Sequence, residues 1–181
     1  SFISLKENWY PEIKKYGDPV LRKIAEKVEE VNDEIREILR NMVETMYARD
    51  GVGLAAPQVG ISLRMFVCDI GTLEESNVKK IINPLITPLT EGTISVEEGC
   101  LSIPGIYKKV ERIAKLKLEY QNEQGEFVEE ILEGFPAIVV QHEYDHLEAT
   151  LFVDRVSPMA KSMIAKKLQA LKKETMKDGR E

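Results

Sequence analysis

Histidine and cysteine are scarce in this chain, with two of each among 181 residues. Two cysteines, Cys68 and Cys100, are too few for a small fold stapled by disulfides. An excess of positive charge is also missing. The formal net charge of −6 is the wrong sign for a general nucleic-acid binder, so DNA is not an expected partner. No apolar run approaches the roughly 20 residues that span a bilayer, which removes a membrane from the expected partners. Ser1 to Pro11 lacks the basic-then-apolar order of a secretory signal. A reduced, cytoplasmic setting is the expectation. Internal repeats, low-complexity blocks and linkers are lacking too, which leaves one domain. With 43% hydrophobic and 31% charged residues, that domain is of ordinary globular composition and long enough to close a core.

The apolar spacing of Ile35, Ile38, Leu39, Met42, Val43, Met46 and Tyr47 predicts a helix from Asp33 to Arg49, with Asn32 as its cap. Strands are expected at Arg64–Ile70, at Lys79–Ile82 (interrupted by Asn83-Pro84), at Val110–Tyr120 and at Glu126–Leu132. A second helix should run from Phe135 to Leu147, with Pro136 in its first turn. A third should begin near Pro158, with Met163, Ile164, Leu168 and Leu171 on one side. The fold class is therefore α+β, with antiparallel sheet and few helices.

Both histidines fall in one short segment. His142 and His146 stand four apart with Glu143 between them, so a helix places both imidazoles on one face. His-Glu-x-x-His is the pattern of a site where two histidines bind a metal and the glutamate moves a proton. Two histidines on a solvated face would satisfy the spacing alone. The apolar approach Ala137-Ile-Val-Val140 favours a buried site instead. A catalytic ion usually takes three protein ligands and leaves a position for water. An extended motif that supplies a third histidine fails, because Ala149 and Phe152 occupy its glycine and histidine positions. Glu174 is one alternative, but it lies in a lysine-rich helix without other site features. Cys100 is the better candidate: Gly99 precedes it and lets the backbone bend, and a thiol beside a divalent ion is deprotonated. Cys68 lies in an apolar strand and reads as a small core residue. The segment Gly51-Val-Gly-Leu-Ala-Ala-Pro-Gln58 lacks the Gly-Lys-Ser/Thr ending of a phosphate loop; its two close glycines suggest a backbone that meets something at short range, and an ordinary turn would explain them equally.

Taken together, Gly51-Val-Gly-Leu-Ala-Ala-Pro-Gln58, Glu98-Gly-Cys-Leu-Ser102 and Gln141-His-Glu-Tyr-Asp-His-Leu147 resemble the three motifs of the peptide deformylase family, in the family's order. The resemblance runs from Tyr16-Gly-Asp-Pro-Val-Leu21 to the last helix. It makes residues 16–181 the catalytic domain and residues 1–15 an N-terminal extension. Two departures stand out: Ala149 where the third motif commonly continues with glycine, and Tyr107 where many members carry arginine.

The resemblance implies antiparallel sheets packed around a central helix that carries His-Glu-x-x-His, with a further helix at the C-terminus. It implies a hydrolase that removes the formyl group from the N-terminal formyl-methionine of new polypeptides. Cys100, His142 and His146 would hold one divalent ion, ferrous iron in the cell, replaceable by zinc, nickel or cobalt. Glu143 would carry the proton, and Gln58 (side chain) and Leu101 (backbone N–H) would stabilise the developing oxyanion. Val52, Gly53 and Gly99 would pair with the substrate backbone. Phe135, Ile138 and Val139 would line the methionine pocket, although plain core is an equal reading of those three. Residues 161–181 carry seven basic and three acidic side chains, +4 against −10 for the rest. A ribosome contact through this helix is implied, with solubility alone as the alternative. Two readings from other classes compete: an endopeptidase with the same motif, and a structural metal protein, which would need no Glu143.

Overall fold

The computed structural model describes residues 11–179. Asn32 caps helix α1 (Asp33–Ala48), its side chain accepting the N–H of Ile35 at 3.0 Å and satisfying a donor that a helix start leaves free. Seven strands follow the chain: β1 (Gly53–Ala55), β2 (Met65–Asp69), β3 (Val78–Pro88), β4 (Thr93–Cys100), β5 (Ile103–Ile113), β6 (Lys115–Gln121) and β7 (Phe127–Glu133). They form two antiparallel sheets. One has the order β1-β2-β3-β6-β7, and the other is the ribbon β4-β5. Helix α2 (Phe135–Leu147) carries both histidines, and α3 (Pro158–Asp178) closes the described chain.

Strand alternation explains how the larger sheet serves two cores. On β2, Met65 and Val67 join Leu39, Met42 and Met46 of α1. Phe66 and Cys68 point the other way and join Ala137, Val139 and Val140 of α2. Helix α2 is apolar around much of its first half, as a helix enclosed by other elements must be. It starts at Gly134, whose φ of 73° side-chain-bearing residues avoid. A third core packs Ile164 and Leu168 of α3 against Ile103, Ile106 and Val110 of β5.

Several expectations needed correction. Val110–Tyr120 is not one strand: it breaks at Ala114, where the chain leaves the ribbon for the larger sheet. Asn83-Pro84 does not interrupt β3. A bulge between Ile82 and Leu85 absorbs the pair, and the Asn83 amide bonds both Val28 N–H and Val28 C=O at 2.9 Å. Met163 is exposed, so the packed side of α3 is Ile164, Leu168 and the half-buried Leu171. Within the segment expected as an extension, Ile13 is buried in the α1 core, and Lys14 N–H donates to Gln58 O at 2.7 Å. Residues 1–10 of that segment lie outside the described residues.

Helix α2 ends with Glu148 N–H and Thr150 N–H both donating to Asp145 O at 2.9 Å, which makes Ala149 the left-handed residue of a helix-closing motif, with φ 57°. Glycine suits that conformation and alanine does not. Ala149→Gly should therefore raise unfolding stability by about 0.5–1 kcal/mol despite the added chain entropy. Urea denaturation measures this, and an unchanged or lower stability would sink the account.

Candidate metal centre

Cys100 ends β4, and His142 and His146 project one turn apart from α2. Their ligand atoms all lie within 4.8 Å of one another. A tetrahedral ion with bonds of ~2.3 Å to sulfur and ~2.0–2.1 Å to nitrogen would hold the two elements about 3.5 Å apart. Cys100 Sγ lies 3.5 Å from His146 Nε2. His142 turns Nδ1 to Glu98 Oε1 at 2.9 Å, which leaves Nε2 for the cluster. Metal-binding histidines are commonly oriented by such a carboxylate. The donor set and its spacing thus fit a divalent ion. Glu174 is exposed on α3 and belongs to no such group among the described residues.

Burial works against the Glu98 charge, but hydrogen bonds from Arg112 and His142 outweigh it and hold the carboxyl below its usual range. Burial likewise lowers His142, yet its bonds to Cys100 and Glu98 prevail and raise it well above the histidine norm. His146, buried without a carboxylate partner, is held well below that norm, in the neutral form that a ligand needs. Glu143 is 3% exposed, and burial raises its pKa to about 7. A carboxyl tuned to that range can both take and give a proton near neutral pH. Its Oε1 has no hydrogen-bond partner among the described residues.

Gln58 is fixed by its neighbours. Ala55 N–H can only donate, and it bonds Oε1 at 2.9 Å, so Nε2 must turn the other way. There it lies 3.1 Å from Ser102 Oγ and 3.4 Å from Cys100 Sγ. Gly53 meets Glu143 at short range: a Cβ there would collide with the Glu143 carboxylate.

A cavity of about 380 Å³ opens over this cluster, the size of a small-ligand site. Val52, Gly53, Gln58, Gly99, Cys100, Leu101, Phe135, Ile138, Val139, His142 and Glu143 all line it, so every expected site residue but His146 reaches the cavity. His146 sits beneath, 1% exposed. Ile138 and Val139 are buried and Phe135 is half exposed at the mouth.

Sequence reasoning missed the residues behind the ligands. Glu98, Arg112 and Asp145 are each less than a tenth exposed. Arg112 donates to Glu98 through Nε at 2.8 Å and Nη2 at 2.7 Å, and to Asp145 through Nη1 at 2.7 Å. Counting in twos from the buried Val110 turns Arg112 inward.

The comparison with known families settles the assignment: residues 10–162 match the family described as polypeptide deformylase. The chain belongs to that family. It is 61% identical over 165 residues to the peptide deformylase of Fusobacterium nucleatum, covering 90% of this chain and 93% of that one. The crystal structure of peptide deformylase from Thermotoga maritima is similar at 48% identity and a TM-score of 0.79, covering 83% of this chain and all of the other. The enzyme from Thermus thermophilus is similar at 40% identity and a TM-score of 0.85, covering 94% and 99%. As a peptide deformylase, the chain is a metal-dependent hydrolase that removes the N-formyl group from nascent polypeptides.

Proposed function

We propose that Cys100, His142 and His146 hold one divalent ion, ferrous in the cell and replaceable by zinc, nickel or cobalt, which a thiolate with two imidazoles accepts comparably. Such an ion supplies Lewis acidity and brings the pKa of water near neutrality. Glu143 takes the proton of the attacking water at its carboxylate and later delivers it to the departing amine as the C–N bond breaks and formate leaves. Gln58 Nε2 and Leu101 N–H donate to the carbonyl oxygen as negative charge develops there, each worth about 10²–10³ in rate.

The substrate backbone extends between two strand edges. Among the described residues, β1 is the last strand of its sheet and β4 pairs only with β5, and both line the cavity. Val52, Gly53 and Gly99 bond the peptide main chain, which gives affinity with little demand on side chains. Phe135, Ile138 and Val139 take the methionine side chain.

The observation that carries this reading is the donor cluster of Cys100, His142 and His146 beside a buried Glu143, under a cavity of one-residue scale. Anaerobic turnover of formyl-Met-Ala, with formate release and metal analysis on one sample, tests it. Cleavage of an end-blocked longer peptide without formate release would favour an endopeptidase and overturn it.

The substrate is met in the cytoplasm, at the ribosome. Lys161, Lys166, Lys167, Lys172, Lys173 and Lys177 are all exposed on α3, while Ile164 and Leu168 pack beneath. Lysine contacts to RNA phosphates make such an attachment salt-dependent. Replacing Lys166, Lys167, Lys172 and Lys173 with glutamine should weaken co-sedimentation with ribosomes at low salt and leave turnover of a free formyl-peptide unchanged. A variant that sediments like the parent would reduce these lysines to a solubility feature.

A further inference from the structure

Asp145 lies on α2 between the two histidines and accepts from two guanidinium groups. Arg112 Nη1 reaches Oδ2 at 2.7 Å, and Arg155 places Nε on Oδ2 at 2.6 Å and Nη2 on Oδ1 at 2.9 Å. Arg112 uses its remaining fork on Glu98, and Glu98 meets His142 Nδ1. An unbroken chain of charged hydrogen bonds therefore runs Arg155–Asp145–Arg112–Glu98–His142. Its outer end is in solvent, with the Arg155 side chain 49% exposed, and its inner groups are buried.

We propose that Arg155 is a positioning residue for His142, acting through Asp145, Arg112 and Glu98. The proposal rests on the reading that His142 holds the ion. The physical reason is a matter of charge sharing. With Arg155 present, two carboxylates are matched by two guanidiniums. Without it, Arg112 alone serves both Asp145 and Glu98, and a buried carboxylate left short of donors draws the fork towards itself. Each change in the Arg112 fork moves Glu98, and Glu98 sets the orientation of the imidazole. Arg155 also precedes Ser157, whose side chain caps α3 through Ala160 N–H at 3.1 Å. The segment that launches the C-terminal helix is thus tied to the metal ligands.

Arg155→Gln and Arg155→Lys test this. The measurements are zinc affinity by chelator competition, the visible spectrum of the cobalt-loaded protein, kcat and KM after metal loading, and thermal midpoint. Loss of a partner that bonds a ligand directly costs about 10–100-fold in metal affinity. For the more remote Arg155, the glutamine variant should lose about 3–30-fold, with an altered cobalt spectrum and lower kcat at constant KM. Lysine keeps the charge but not the fork, and should lose about 2–5-fold. A variant with parental affinity, spectrum and kcat, changed only in thermal midpoint, would make Arg155 an anchor for α3 and overturn the proposal. If the glutamine variant does not fold, parental values in the lysine variant overturn it equally. Failure of the parent protein to bind zinc stoichiometrically would instead refute the ligand assignment beneath it.

Discussion

Glu143→Gln is expected to retain its full complement of metal while kcat falls by about 10²–10⁴-fold, the contribution of a positioned acid–base group. Glutamine preserves the shape of the side chain and its fit above Gly53, so the cavity should be undisturbed. It cannot accept a proton. The neighbouring carboxylates cannot substitute, because Glu98 is committed to Arg112 and His142, and Asp145 to Arg112 and Arg155. Removal of one oxyanion donor would also slow the reaction. Among the described residues, only Glu143, however, combines burial beside the cluster with a pKa raised to about 7. Steady-state kinetics with metal analysis on one preparation decide the matter, and near-normal turnover in a fully loaded variant would remove Glu143 from the proton path.

Cys100→Ala should lose metal and activity together, whereas Cys68→Ala should keep both. The two thiols differ in what surrounds them. Cys100 lies 3.5 Å from His146 Nε2 and 3.4 Å from Gln58 Nε2. Cys68 is fully buried in the core beneath α2, and burial, with the Glu143 charge nearby, pushes its thiol pKa up. Its truncation should cost about 1 kcal/mol of stability, as loss of a small buried group does. Metal content of both purified variants separates the cases. Full occupancy with normal turnover in Cys100→Ala would exclude the thiol as a ligand.

The candidate site was more legible than the sheet that carries it. The helix spacing of His142 and His146 fixed their common face, and the scarcity of other soft donors drew attention to Cys100. The start of α2 followed from Pro136, which a first helical turn tolerates. By contrast, β4 and the first half of β5 carry no clean alternation. The ribbon is exposed along much of its length, with Glu97, Tyr107 and Lys109 in solvent. Period-two patterning arises only where one face is buried. Asn83 misled because a bulge stabilised by its own side chain leaves no sign in propensity. Arg112, Asp145 and Arg155 were invisible for another reason. Their partners lie up to 33 residues away, and pairing at that range is a property of the folded chain.

The strand edges that flank the cavity, unpaired among the described residues, also impose a schedule on the proposed docking of substrate. As docking edges for substrate, they accept only a chain that is extended and has its own backbone groups uncommitted. An N-terminus already woven into a sheet, or wound into a helix, presents neither. Synthesis proceeds at ~5–20 residues per second, and N-terminal domains begin to fold as they emerge. The interval for catalysis opens when the first few residues clear the ribosome and closes when the first element of structure claims them. Proteins whose N-terminal strand folds early would be the ones that escape with the formyl group in place.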